Sequence, residues 1–303
     1  LFVLQVEYLT SCKFLKVSDL LHQEILVYFQ TLLGRKNNKY LGSQFKVLAS
    51  VGHVRDLAAK NSKKDILVFL DDDSYPESSI LNIASIYFQD PSIIALGGPG
   101  ITPPMDDYFQ RVSGAVFLSK FTGGAPERYV SIGEVREIDD WPSVNMIIKK
   151  DFFDKIGGFN CDYWPGEDTI LCFKIIKNHK KILYDSNLIV YHYRRGDLLS
   201  HVKQISAYAK MRGYFVKKYP KNSLKLNYFI PSIFLIYIII LFLSLFFTKN
   251  NLLVIPLFGY GVYLMISLIE ISLKQNVLLA LLSIPIIFIT HIVYGFNFIR
   301  GLF

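Results

Sequence analysis

Apolar and polar positions follow two different patterns along the 303 residues of the chain. Up to about residue 225, short apolar runs alternate with amphipathic stretches. FKVLAS (45–50), DILVFLDD (65–72), SIIALGG (92–98), VNMIIKK (144–150) and KILYDSNLIVYHY (181–193) predict strands. Between them HVRDLAAKNS, SSILNIASIYFQ and EDTILCFKIIKNH carry helical periodicity. Strand and helix alternating at this spacing predict an α/β domain with a mostly parallel, Rossmann-like sheet. Such sheets bind ligands beyond the carboxyl ends of their strands. The pattern then changes. Residues 229–247, 252–269 and 277–298 are apolar runs without a Lys, Arg, Asp or Glu, joined by the polar links TKNN and EISLKQN. Each is near the ~20 residues that cross a bilayer core as a helix, so a C-terminal bundle of three transmembrane helices is expected. The predicted division is a soluble domain over 1–225 and a membrane region over 226–303, and removal of the chain from Leu226 onward is expected to release the former in soluble form.

Composition agrees: 51% hydrophobic, 19% charged, with a mean hydropathy of +0.32, which excludes intrinsic disorder. The net charge of +8 (33 − 25) changes the picture only near the membrane. Lys217, Lys218, Lys221 and Lys225 precede the first apolar run, which predicts a cytoplasmic N-terminal domain on a multi-pass protein of the inner or plasma membrane, with TKNN outside and EISLKQN inside. Basic residues are otherwise dispersed, so no nucleic-acid partner is expected. Cys12, Cys161 and Cys172 have neither metal spacing nor an even count, so no disulfide framework is expected. The chain begins at a leucine, and a truncated or altered start is the expectation there.

The strongest local chemistry is Asp71-Asp72-Asp73 at the end of the apolar run 66–70. Carboxylates this close stay ionised only beside a compensating cation, and Mg²⁺ or Mn²⁺ held together with substrate phosphates is the natural match. Strand alternation turns Asp71 and Asp73 to one side and Asp72 to the other. Pro76 stands where a calcium-binding loop needs glycine. A phosphotransferase with an aspartyl nucleophile also places Asp-x-Asp after a strand and stays open as an alternative. Glu167 and Asp168 open a helix after Tyr163-Trp164-Pro165; they either complement the helix dipole or supply a general base to a bound hydroxyl. His192 ends an apolar run before Arg194 and Arg195, a setting for a metal or a diphosphate.

Taken in order, Arg55-Asp56-Leu57-Ala58, DILVFLDDD, GGPG, Asn145-Met146, Ile156-Gly157-Gly158-Phe159, Gly166-Glu167-Asp168 and Val190-Tyr191-His192 resemble family-2 glycosyltransferases of the GT-A fold over roughly residues 45–218. The resemblance implies a divalent metal, Mn²⁺ or Mg²⁺, at Asp71 and Asp73, with His192 joining the expected metal set. It implies Asp168 as catalytic base, and donor or acceptor contacts at Arg55, Asp72, Gly98, Asn145, Trp164, Glu167, Arg194 and Arg195. The implied reaction moves a sugar from a nucleotide-diphosphate sugar to a hydroxyl of a membrane-associated acceptor, a lipid-linked glycan or cell-envelope polysaccharide precursor. A single in-line displacement, with metal at the leaving diphosphate and Asp168 opposite, inverts the anomeric centre. Residues 18–27 resemble the helix and second-strand entry of the family, whereas 1–44 otherwise match it poorly. The Gln-x-x-Arg-Trp signature of processive synthases is absent, Gln204 and Arg212 being too far apart, which favours transfer of single sugars. The competing expectation, set by the poorly matched start, is a catalytically impaired relic acting as a scaffold.

Overall fold

The computed structural model describes residues 2–4, 25–30, 51–123, 125–247 and 251–303; the strand expected at 45–50 and the helix entry at 18–24 lie outside them. In chain order the elements are β1 (Phe2–Leu4), β2 (Ile25–Gln30), α1 (Val51–Asn61), β3 (Ile66–Asp71), β4 (Ser74–Pro76), α2 (Ile80–Tyr87), β5 (Ile93–Gly97), β6 (Gly100–Ile101), α3 (Tyr108–Ala115) and α4 (Lys120–Gly123). There follow β7 (Arg136–Ile138), β8 (Asn145–Lys149), α5 (Lys150–Lys155), α6 (Glu167–Lys177), β9 (Lys181–Tyr184), β10 (Val190–His192), α7 (Leu198–Lys218), α8 (Pro220–Ser223), α9 (Ile230–Phe247), α10 (Ile255–Lys274) and α11 (Val277–Leu302). They form two compact units, Leu1–Ile101 with Ser131–His192, and Thr102–Val130 with Tyr193–Phe303.

The first unit is built on a seven-stranded sheet ordered β1-β2-β3-β8-β5-β9-β7. It is mixed rather than mostly parallel: β2–β3 and β5–β9 are parallel, and the other four pairings antiparallel. The cause is the entry point of β8. Asn145 pairs with Leu70, and Met146 with Gly97, both near the ends of their strands. A strand entering between β3 and β5 at the edge where both finish can only run back against them. The run 181–193 likewise forms two strands, because Asp185 Oδ1 accepts the Asn187 N–H at 2.9 Å and turns the chain. β3 is apolar on both faces, as a central strand must be. Ile66, Val68 and Leu70 pack with Ile80, Leu81 and Ala84 of α2, while Phe69 meets the Phe153 and Phe159 rings on the other side. A second sheet, β4-β10-β6, sets His192 opposite Ser74.

In the second unit α11 packs against α3, α7, α9 and α10. Backbones approach closely where a side chain is missing. A Cβ on Gly301 would lie 1.9 Å from the Lys210 carbonyl of α7, and one on Gly295 would lie 2.4 Å from the Pro231 carbonyl of α9. Small residues at helix crossings are how apolar helices gain contact where no hydrophobic drive operates. Three helical segments, Leu226–Ser244, Ile255–Lys274 and Val277–Leu302, are long and apolar enough to cross a membrane by length and composition. The structure differs from expectation twice here. EISLKQN is not a link, since α10 continues to Lys274: Glu270 accepts the Lys120 N–H at 3.0 Å and Lys274 donates to the Leu118 carbonyl. Nor do the compact units divide at 225. Val112, Ala115, Val116 and Leu118 form one apolar cluster with Ile271, Leu279, Ala280, Ile286 and Ile287, so residues 102–130 belong with the apolar helices.

Candidate active site

The carboxyl end of β3 delivers Asp71, and the turn to β4 carries Asp72 and Asp73. The Ser74 hydroxyl donates to the Asp71 carbonyl at 2.8 Å and tightens that turn. Pairing of β4 with β10 then brings in His192 from far along the chain. Its Nε2 lies 3.0 Å from Asp73 Oδ1, and one ligand atom each from Asp71, Asp73 and His192 lie within 4.8 Å of one another. Asp72 is exposed and takes no part in this group.

Two carboxylates and an imidazole fit a small divalent cation. Two ligands of one ion stand at most about 4.2 Å apart, twice a bond of ~2.1 Å, so the observed spread needs only small side-chain rotations. Oxygen donors suit Mg²⁺ and Mn²⁺, and the imidazole tips the set toward Mn²⁺.

Behind the rim, α1 inserts Arg55, only 5% exposed. Its Nη2 donates to Asp71 Oδ1 at 2.7 Å, and its Nη1 to Glu167 Oε1 at 2.9 Å and to Ser143 Oγ at 2.7 Å. Glu167 is equally buried. Burial, then the neighbouring Asp168 charge, push its carboxyl up from the ordinary range, while Arg55 pulls it down. Asp168, next on α6, is partly exposed; its Oδ2 accepts the Ser143 N–H at 3.2 Å and its Oδ1 the Thr169 N–H at 3.1 Å. The Gly157-Gly158 turn, with φ of 74° and 59°, seats Phe159 under Arg55, the guanidinium carbon 5.5 Å from the ring centroid. Asp56 holds this turn by accepting the Phe159 and Asn160 N–H groups at 2.8 and 2.7 Å.

Arg55 and Glu167, expected among donor or acceptor contacts, thus bond to one another; Arg55 also holds Asp71 and Ser143, and Glu167 Oε2 accepts the Gly166 N–H at 3.0 Å. Gly98 and Asn145 serve the scaffold. A Cβ on Gly98 would meet the Leu188 carbonyl at 1.9 Å. Asn145 is fully buried, with Nδ2 donating to the Leu188 and Pro99 carbonyls at 2.6 and 3.2 Å. Trp164 is 63% exposed. Arg194 and Arg195 belong to the second unit, where Arg194 Nε donates to Thr102 Oγ1 at 3.0 Å and its guanidinium lies over Tyr129.

No family model matches the chain. Among curated proteins it is similar to the dolichyl N-acetyl-alpha-D-glucosaminyl phosphate 3-beta-D-2,3-diacetamido-2,3-dideoxy-beta-D-glucuronosyltransferase of Methanococcus voltae, 22% identical over 250 residues that cover 80% of this chain and 72% of that protein. Among solved structures it is similar to the mannosyltransferase PcManGT of Pyrobaculum calidifontis in complex with GDP-Man and Mn²⁺, with 14% identity and a TM-score of 0.48, covering 77% of this chain and 65% of that one. Both proteins are glycosyltransferases. The chain therefore spans less than two thirds of the solved structure it matches.

Sequence reasoning missed Ser143, which touches both Arg55 and Asp168. No motif marks it; its one signal is its place just before β8, at the rim where β3 and β5 end.

Proposed function

We propose that this chain is a membrane-anchored glycosyltransferase of family 2 and GT-A fold. It moves a sugar from a nucleotide-diphosphate sugar to a hydroxyl of a lipid-linked glycan or polysaccharide precursor. The observation that carries the reading is the convergence of Asp71, Asp73 and His192 from two segments of the first unit, with Asp168 one residue from the buried Arg55–Glu167 pair. Similarity to the Methanococcus voltae glucuronosyltransferase supports it, as do three helices of membrane-spanning length and apolarity.

Asp71, Asp73 and His192 would hold Mn²⁺ or Mg²⁺, which when bound neutralises the charge growing on the departing diphosphate. Asp168 takes the proton from the acceptor hydroxyl as it attacks the anomeric carbon, so the anomeric centre inverts. Its Oδ2 is held by the Ser143 N–H, which keeps a carboxylate oxygen in fixed aim. Single sugars are transferred. The apolar helices and the basic residues before them support a reading as an inner- or plasma-membrane protein with a cytoplasmic catalytic unit.

A panel of nucleotide sugars offered to the full chain in detergent tests this. One donor should be hydrolysed or transferred, with turnover abolished by EDTA, restored by Mn²⁺, and lost in Asp71→Asn. Absence of metal-dependent binding of every nucleoside diphosphate would favour the scaffold reading, and an acyl-phosphate trapped on Asp71 the phosphotransfer one.

A further inference from the structure

We propose that Arg55 is a positioning residue that aims Asp71 at the cation and, through Ser143, steadies Asp168, and that neither Arg55 nor Glu167 touches donor or acceptor. This rests on the metal-dependent transfer proposed above.

The geometry is a single planar group tied at both ends. Nη2 holds Asp71 Oδ1 at 2.7 Å, while Nη1 holds Glu167 Oε1 at 2.9 Å and Ser143 Oγ at 2.7 Å. A guanidinium carries its donors in a fixed fork, so anchoring Nη1 in the buried Glu167 fixes where Nη2 points. With Oδ1 engaged by Arg55, the Asp71 carboxylate is held in one orientation, in which it would ligate the cation. The same Nη1 holds the Ser143 side chain, whose backbone N–H bonds Asp168 Oδ2. Metal carboxylate and base carboxylate are thereby set by one side chain that is itself 5% exposed and backed by the Phe159 ring. At 5% exposure the guanidinium offers a bound sugar nucleotide almost no surface to contact. A lysine would keep the charge and lose the fork.

Charge and position are separable here. Asp71, Arg55 and Glu167 sum to one negative charge when ionised; so does Asp71 alone in the double variant Arg55→Met/Glu167→Gln. That variant leaves no unpaired buried charge, the usual cause of misfolding when one partner of a buried ion pair is removed. Outer groups that orient metal ligands are typically worth ~10–100-fold in metal affinity.

The experiment titrates Mn²⁺ into the full chain in detergent, reading free Mn²⁺ by electron paramagnetic resonance, and then measures single-turnover transfer at saturating Mn²⁺. The double variant should bind Mn²⁺ about 10–100-fold more weakly and remain slow when saturated, because Asp168 has lost its support. Arg55→Lys should fall between it and wild type. Wild-type affinity in the double variant, or full rate at saturation, overturns the proposal. Should the double variant not fold, Arg55→Lys alone decides: it keeps the charge and loses the fork, so Mn²⁺ binding must weaken, and unchanged affinity overturns the proposal. Wild-type Mn²⁺ binding that Asp71→Asn leaves unaltered would instead sink the metal-dependent reading itself.

Discussion

The two units treat polar groups in opposite ways. The first buries charge at its sheet rim, with Arg55 between Asp71 and Glu167. The second keeps charge out of its long apolar stretches and joins helices through glycines and hydroxyls, as where Ser119 meets Ser267 and Ser232 donates to the Gly295 carbonyl. Buried charge demands partners at hydrogen-bond distance, so the first unit depends on strand register and on single atoms. Helices that meet backbone to backbone depend on volume. Added volume should therefore be the main threat at the helix crossings of the second unit, and an altered charge at the sheet rim of the first.

The largest effect follows from where the units divide. Deleting the chain from Leu226 onward would strip α10 and α11 from Val112, Ala115, Val116 and Leu118, and the remainder should aggregate rather than appear as the soluble domain that hydropathy alone suggests. Size-exclusion chromatography checks this, and a monodisperse fragment would show that residues 102–130 find other cover.

Next comes Asp168→Asn. Asparagine keeps size and one acceptor oxygen but cannot take a proton, so single-turnover transfer should fall ~10²–10⁴-fold with Mn²⁺ and donor binding nearly unchanged. In the same assay Asp71→Asn and Asp73→Asn should lose Mn²⁺ binding, while the exposed Asp72→Asn stays close to wild type. Equal losses at all three positions would contradict the grouping of Asp71 and Asp73 with His192.

A smaller effect sharpens the volume side of the contrast. Gly301→Ala places a methyl group 1.9 Å from the Lys210 carbonyl, and overpacking of this kind costs about 1–3 kcal/mol. The same change at Gly259, where nothing lies within 4 Å of an added Cβ, should be silent. Thermal unfolding in detergent separates the two.

The smallest effect is a pH response. His201 on α7 is buried between Ser113 and Thr290, each 2.9 Å from a ring nitrogen, and burial pushes its pKa down from 6.5 to about 4. The unfolded chain then binds a proton that the folded chain refuses. The contribution is present above pH 6.5 and is lost as pH falls toward 4, at no more than ~1.4 kcal/mol per pH unit. His201→Gln should flatten the acid limb of a stability–pH curve; an unchanged limb would assign that limb to other groups.

What the sequence disclosed tracks the range of each interaction. Asp71, Asp73 and the three apolar helices are local signals, carried by adjacent letters and by hydropathy over one span. The separation of Asp72 from its neighbours follows from alternation near a strand end. The direction of β8 was not legible, because it depends on which rim the chain occupies after β5. Nor was the burial of Arg55, since nothing in the sequence pairs α1 with the first turn of α6. The length of α10 was hidden for the opposite reason: Glu270 and Lys274 read as a polar link until their partners at Leu118 and Lys120 are seen.

The central claim is that Asp71, Asp73 and His192 hold one divalent cation. Pulsed electron paramagnetic resonance on the Mn²⁺-loaded full chain tests it most directly, because a directly ligated imidazole nitrogen couples to the electron spin. The account predicts a nitrogen coupling in wild type that disappears in His192→Gln while Mn²⁺ stays bound at reduced affinity. A Mn²⁺ signal lacking that coupling, or one that His192→Gln leaves untouched, would contradict it.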